Sequence, residues 1–264
     1  MAGDLSTALN ALPVLLVISF ALLAAWGALL AWRGDYRRAD QRLVEGGLEP
    51  ETTPSVSVVV PARNEGDVIA AALASLKTQD YAGEVHICIV DDDSDDDTAE
   101  VVRRTGGAEL IRTKRRPPGW TGKMWAVARG VDHARATWPD DDYVWLTDAD
   151  IEHHPGELST LIAQSESRDL DLNSAMVLRR VESLWDRLLI PAFVFFFQKL
   201  YPFPWVNDPT RKTAAAAGGS MLARSGALRR IGGIEAIGGE LIDDCALAAK
   251  IKGSGGAIRL ALAT

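Results

Sequence analysis

The sequence predicts an α/β domain built on a mostly parallel sheet, preceded by a single membrane-spanning helix. Three observations carry that prediction. Short β-branched runs alternate with helical patterns from residue 55 onward, polar or acidic loops come after the strands, and residues 5–32 hold no charged side chain. Strict strand–helix alternation covers both faces of a parallel sheet. Ligands of such sheets bind beyond the carboxyl ends of the strands, so the residues just past each strand are the first candidates for a site.

The elements run in order. Residues 1–12 are a short leading segment, and Pro13–Trp32 is apolar over enough residues to cross a bilayer as a helix. Trp26 and Trp32 suit the interfacial level on the exit side. A cleaved signal peptide would need a basic start, a shorter apolar core and a cleavage site; here only Asp4 precedes the core. Arg33, Arg37, Arg38 and Arg42 come next, and by the positive-inside bias they place the rest of the chain in the cytoplasm. Residues 33–54 read as a basic juxtamembrane linker, fading through Gly46, Gly47, Pro50 and Pro54.

The domain proper is expected over 55–264. "SVSVVVPA" (Ser55–Ala62) is a strand and Glu65–Gln79 a helix. Glu84–Val90 is a strand, Asp97–Gly106 a helix stopped by glycine, and Ala108–Thr113 a strand. Lys123–Ala134 is a helix and Asp142–Asp150 a strand. The rhythm then changes. Leu170–Val181 reads as a strand. Leu184–Trp205 is an aromatic-rich helix containing Pro191, too short in its apolar part to span a bilayer. It fits either a helix lying in the membrane interface or a core helix. Ala214–Gly233 is a small-residue loop, strand and helix; Glu240–Gly255 starts acidic and becomes helical; "AIRLALAT" opens a further strand, so the domain is expected to continue beyond this sequence.

Composition narrows the function. A net charge of −8 argues against a nucleic-acid partner. Two distant cysteines, Cys88 and Cys245, lack CxxC or histidine neighbours, which argues against a disulfide framework or structural zinc.

Chemistry concentrates after the strands. The first leads into "PARNE", the second into "DDDSDDD" and the fourth into "DAD". Asp148 and Asp150, two apart at a strand end, can turn toward one point and suit a hard divalent cation, manganese or magnesium, with open positions for phosphate oxygens. The other reading is capping or surface acids. Lys123 opens a helix after Gly119 and Gly122, where a lysine can pair with an anion or simply be solvated; the Walker spacing is absent. Gly218 and Gly219 allow close backbone approach to a ligand, or mark a turn. Asp243 and Asp244 start a helix, as dipole-complementing acids or as a general base. His153 and His154 come directly after the DAD, as metal ligands or as supporting residues.

The motifs "VSVVVPARNE", "ICIVDDDSDDDT", "GKMWAVARGVDHA", "LTDAD", "GGSMLARSGALRRIGG" and "IDDCALAAKIKGSG" stand in the order found in family 2 glycosyltransferases of the GT-A fold, which the chain resembles from Ser55 onward. Within that family it looks most like bacterial hopene-associated, hopanoid-biosynthesis glycosyltransferases. The resemblance implies an enzyme of the bacterial inner membrane with a cytoplasmic catalytic domain. It would move a sugar from a nucleotide-diphospho-sugar, with uridine the expected nucleoside, to a lipid acceptor with inversion. By the same resemblance Pro61, Ala62, Arg63 and Glu65 line the nucleoside pocket and Asp92 hydrogen-bonds the base. Lys123 lies near the nucleotide, Asp148 near ribose and metal, and Asp150 ligates a divalent metal. Gly218 and Gly219 border donor sugar and acceptor, and Asp244, beside Asp243, is the general base. The family usually has glycine at Asp93 and glutamate at Asp243. Within the acidic run, Asp91 is expected to brace the loop and Asp95, Asp96 and Asp97 to cap the next helix.

Other readings remain distinguishable. A nucleotidyltransferase would show a glycine-rich loop where "PARNE" stands. A calcium-binding scaffold would need EF-hand spacing, which is missing. A processive polysaccharide synthase would carry a Q-x-x-R-W motif, and none is visible up to residue 264.

Overall fold

The computed structural model describes residues 2–36, 38–43, 52–113, 116–178, 181 and 183–263. Arg37 and residues 44–51 of the expected linker lie outside them, as do Arg179 and Arg180 near the expected end of the strand after Leu170.

Helix α1 (Ala2–Trp32) contains the predicted span; Leu12–Trp32 is long and apolar enough to cross a membrane and is not buried against the rest of the chain. Beyond it lie β1 (Val56–Ala62), α2 (Ile69–Lys77), β2 (Val85–Asp91), α3 (Thr98–Thr105), β3 (Glu109–Arg112), α4 (Gly122–Thr137) and β4 (Tyr143–Thr147). The second half holds α5 (Glu157–Ser167), β5 (Leu172–Met176), α6 (Leu184–Leu200), α7 (Phe203–Val206), β6 (Ser220–Arg224), α8 (Ser225–Arg230), α9 (Asp243–Gly253) and β7 (Ile258–Leu262).

The strands form one sheet in the order β3-β2-β1-β4-β6-β5-β7. All neighbours run parallel except at β6, which is antiparallel to both β4 and β5. Helices cover both faces, as alternation of the core residues dictates. Val59, Cys88, Val90, Val144 and Leu146 face a layer containing α4 and α9, whereas Val58, Val60, Ile89 and Trp145 face α2, α3 and α5. Central strands buried on both faces read as near-continuous apolar runs, which is why they are plain in the sequence.

Helix α4 sits unusually close to the sheet. A Cβ placed on Gly130 would fall 2.3 Å from Val59 Cγ1 and 2.8 Å from Val90 Cγ2. The absent side chain therefore lets the helix lie directly on β1 and β2, with its first turn at their carboxyl ends.

The long helix expected over Leu184–Trp205 is two helices. Tyr201 closes α6, and Pro202, which has no N–H to continue the ladder, precedes α7. The strand expected from Leu170 is confined to Leu172–Met176. Residues 38–43, expected within the linker, run along the sheet edge instead: Leu43 N–H donates to the Leu262 carbonyl at 2.8 Å, Leu262 N–H donates to Gln41 at 2.8 Å, and Leu43 is buried.

Candidate active site at the carboxyl edge of the sheet

β1, β2 and β4 all end on one edge, and the start of antiparallel β6 arrives at the same edge from the other direction. This brings "PARNE", the acidic run, "DAD" and the Gly218–Gly219 turn together. Pro61, Lys123, Asp148, Gly218 and Asp243 line one cleft, floored by apolar side chains that include Met124, Leu146 and Leu247.

Thr121 caps α4 by accepting the Met124 N–H at 3.2 Å, and Lys123 sits in the first turn. Its Nζ lies 2.6 Å from Asp148 Oδ1. Burial pulls the lysine's pKa down, but Asp148, with Asp243 and Asp244 behind it, outweighs that and raises it, so the ammonium stays charged. Gly218 joins Lys123 to the next acid. A Cβ there would stand 3.6 Å from Lys123 Nζ and 3.7 Å from Asp244 Oδ2, and Gly218 N–H donates to Asp244 Oδ2 at 3.1 Å. Asp244 Oδ1 accepts from Cys245 N–H at 2.7 Å. Burial, reinforced by Asp243, raises the Asp244 pKa above the ordinary carboxylate value even against these two donors.

The acidic run divides by partner. Asp91 is fully buried; it accepts from Ser94 N–H at 3.0 Å and from Arg112 Nε at 2.6 Å, so it braces the loop. Asp92 accepts from the Thr113 hydroxyl at 2.7 Å, and its Oδ2 lies 3.8 Å from Arg63 Nη1. Asp93 adopts φ 56°, in the left-handed region where glycine is at ease and aspartate is tolerated. Of the three acids expected to cap α3, Asp97 stands at the cap position but makes no side-chain capping bond. Asp96 instead accepts from Thr98 N–H at 3.0 Å and from Gly66 N–H at 3.1 Å. Asp95 donates its backbone N–H to Asn64 Oδ1 at 2.9 Å. The capping expectation thus holds at Asp96, which accepts the first N–H of α3, and not at Asp97; Asp96 also ties the second loop to the first, and Thr98 completes the tie by accepting Glu65 N–H at 2.8 Å.

Glu65 faces the "DAD" acids. Burial raises its pKa first, and Asp150 and Asp148 add to the rise. Asp150 is exposed. Among the described residues no three His, Cys, Asp or Glu side chains converge to form a complete metal site. Asp148, which Lys123 shares, and the exposed Asp150 are hard carboxylates that would suit a divalent cation with further positions open to ligand oxygens and water. Ala62 departs from its expected place on the pocket wall. Its side chain is buried in the core, and it reaches the site only through its carbonyl, which accepts Asp92 N–H at 2.9 Å.

Sequence reasoning missed a buried brace behind "DAD". Thr147 Oγ1 donates to the Gly219 carbonyl at 2.8 Å and meets His153 Nε2 at 2.7 Å. His153 Nδ1 contacts Glu157 Oε2 at 2.9 Å, Ser220 Oγ donates to Glu157 Oε1 at 2.7 Å, and Trp145 Nε1 donates to Ser220 Oγ at 3.0 Å. Both ring nitrogens of His153 are engaged within the protein, so its alternative as a metal ligand is set aside. The i, i+4 spacing of His153 and Glu157 on the way into α5 is the signal that could have found it. Gly219 has its own constraint: a Cβ would fall 2.7 Å from Val177 Cγ2.

Residues 57–232 match the model of the family described as glycosyl transferase family 2. A 4,4'-diaponeurosporenoate glycosyltransferase of Staphylococcus haemolyticus is 36% identical over 122 residues, 46% of this chain and 30% of that protein. The match thus spans under a third of that relative's length. In fold, the chain is similar to the mannosyltransferase PcManGT from Pyrobaculum calidifontis, solved with GDP-Man and Mn2+, at a TM-score of 0.66 and 22% identity over 93% of this chain and 67% of that one. It is also similar to S. aureus TarS 1-349 in complex with UDP-GlcNAc, at a TM-score of 0.54 and 18% identity over 78% of this chain and 55% of that one.

Proposed function

The chain belongs to glycosyl transferase family 2, and from that premise we propose that it is a membrane-anchored, inverting glycosyltransferase moving a sugar from a nucleotide-diphospho-sugar to a lipid acceptor. The observation that carries this reading is the meeting of Lys123, Asp148, Gly218 and Asp244 around one cleft. A charged lysine at a helix start is suited to the phosphates, and a buried carboxylate across the glycine turn is suited to a proton.

In this scheme Arg63 and Asp92 receive the nucleoside, Asp92 accepting a hydrogen bond from a ring N–H; a uracil offers one, and a uridine donor is the expected one. Pro61 forms part of the wall and Glu65 borders the pocket. Lys123 pairs with the diphosphate, and the Gly218–Gly219 turn lies against donor sugar and acceptor. Asp148 and Asp150 would hold manganese or magnesium, which supplies Lewis-acid stabilisation of the leaving diphosphate. The acceptor hydroxyl oxygen attacks the anomeric carbon from the face opposite the diphosphate. As the new C–O bond forms, the old one breaks, nucleoside diphosphate departs, and the hydroxyl proton passes to Asp244. The raised pKa of Asp244 makes it a better proton acceptor than a solvated aspartate. Asp243, in the cleft wall beside it, supplies negative charge rather than the base.

Helix α1 would anchor the enzyme in the bacterial inner membrane, with the arginines after it keeping the domain cytoplasmic. Anchoring suits a lipid acceptor, since both partners are then confined to one plane; a hopanoid is the acceptor proposed. The test is turnover of a uridine-diphospho-sugar by the purified protein with manganese. Loss of activity in Asp150→Ala with an unchanged melting temperature supports the scheme, and full activity in that variant removes the metal assignment. Release of pyrophosphate instead of nucleoside diphosphate would point to nucleotidyl transfer.

A further inference from the structure

Helix α6 has its polarity inside out. It buries Gln198 alone, while Leu184 (78% exposed), Trp185 (67%), Leu188, Leu189, Phe196 and Leu200 face outward. Soluble helices bury the apolar stripe and expose the polar one; a contiguous exposed apolar surface marks a site of contact. The helix is firmly defined at its start by a reciprocal capping box between Ser183 and Asp186. Between Arg187 and Gln198 runs "LLIPAFVFFF", without a charge. At 1.5 Å per residue that run is about 15 Å long, roughly half a bilayer's hydrocarbon thickness, so it does not span one.

What covers α6 is indicated by its neighbours. Arg33, directly after α1, donates its Nε to the Lys199 carbonyl at 2.8 Å, and Lys199 Nζ lies 4.2 Å from the centre of the Trp26 ring. Tyr36 packs edge-on against Phe195 at 5.4 Å. The exposed face of α6 is therefore continuous with the exit end of the one helix, among the described residues, that is apolar enough to cross a membrane. Lysine, arginine and tryptophan gathered at such an exit are the residues that favour the headgroup level.

The same geometry places the site. The chain after α1 docks on Leu262, the last residue of β7, and α6 comes after the carboxyl end of β5. Both apolar helices thus leave from the sheet edge that carries the cleft. Tyr201, which closes α6, is close enough to Cys245 and Asp244 to interact with both.

We infer that α6 is a second membrane contact, lying in the plane of the bilayer beside α1 and holding the mouth of the cleft at the lipid surface. This rests on α1 being a membrane span but not on the transferase chemistry.

Single cysteines introduced as Leu188→Cys and Phe196→Cys, labelled with an environment-sensitive fluorophore, test it in the full chain reconstituted into mixed phosphatidylcholine and phosphatidylglycerol vesicles; Cys88 and Cys245 are buried. Leu22→Cys in α1 and Arg103→Cys in α3 serve as controls. The expected result is loss of most fluorescence at 188 and 196 with nitroxides near the headgroups, strongest quenching at 22 with nitroxides deep in the acyl chains, and neither at 103. Quenching at 22 without quenching at 188 and 196 overturns the inference while leaving the anchor intact. So does a blue-shifted emission at 188 and 196 that lipid nitroxides do not touch, which would mean that a second copy of the chain covers α6. Absence of quenching at all positions overturns the anchor itself.

Discussion

The acids of this protein fall into two rows that share a residue type and differ in where their partners are. The rear row, Asp91, Asp96 and Glu157, finds its donors within the chain: Arg112 and Ser94, Thr98 and Gly66, His153 and Ser220. The front row, Glu65, Asp148, Asp150, Asp243 and Asp244, crowds acids around one cleft with one lysine among them; burial first, and neighbouring acids second, raise the pKa of Glu65 and of Asp244. A carboxylate whose partners are all internal is a structural member. Acids crowded around one cleft are held together only at some cost, and a ligand that brings positive charge relieves it.

The comparison breaks first, and hardest, at Asp244. Asp244→Asn is expected to lower kcat by about 10²–10⁴-fold, the usual worth of a positioned base, while leaving donor binding in place; Asp243→Asn should cost much less. Steady-state kinetics of the two variants decide it, and the larger loss at Asp243 would transfer the role. The pH profile sharpens the same point. A base acts unprotonated, so kcat/KM should fall as pH drops through the Asp244 pKa, and that acid limb should lie above the ordinary aspartate value of 3.8. The linkage to stability has the opposite sign. A carboxyl with a raised folded pKa holds its proton more tightly in the folded state, so its contribution is fully present below the unfolded value and is lost as pH rises through the folded one.

In the rear row the large effect should be on folding. Glu157→Ala leaves His153 and Ser220 without their acceptor in a buried site and should cost about 3 kcal/mol, read as a lowered denaturant midpoint in detergent-solubilised protein. A melting curve unchanged by that substitution would dissolve the distinction between the rows. Asp92 stands between them, with one internal partner and one face toward the pocket; Asp92→Ala should weaken nucleotide binding about 10-fold to 100-fold by calorimetry, the worth of one hydrogen bond to a charged group. The smallest effect belongs to Asp96→Ala, which loosens the Gly66 and Thr98 ties and should reduce nucleotide affinity less than Asp92→Ala does. Equal losses at the two would show that the loop and the contact cannot be separated.

The front row is legible in the sequence because its chemistry is local. A buried strand announces itself as an unbroken apolar run, and acids placed just past it must emerge at the sheet edge; Asp148 and Asp150 are found that way. The rear row is less legible because its bonds join distant segments: Ser220 to Glu157 across 63 residues, Thr147 to Gly219 across 72. No periodicity encodes such pairings. The second tie of Asp96 is hidden for the same reason, since its partner Gly66 belongs to another loop. In the second half of the chain, the reversal at β6 comes from tertiary packing, and the break at Pro202 from a proline masked by a long aromatic run. The polarity of α6 can be posed from sequence as two alternatives, and the exposure of Leu184, Trp185, Leu188, Leu189 and Phe196 argues against the core helix.

The junction after α1 has a mechanical consequence. Tyr36 and Leu43 are buried, Arg33 grips both the end of α6 and the Trp205 ring, and the segment between is bonded to the last strand. As the membrane anchor proposed above, α1 would therefore be a bracket and not a leash. A leashed domain would sample every height and tilt above a surface; a bracketed one has a single working height. Lipid acceptors of the kind proposed, anchored at that height, would arrive pre-aligned along one dimension, and those whose hydroxyl sits higher or lower would be excluded before any contact with the cleft. Selection among acceptors would then begin with a ruler fixed at residues 33–36 and 38–43, well away from the residues proposed to perform the reaction.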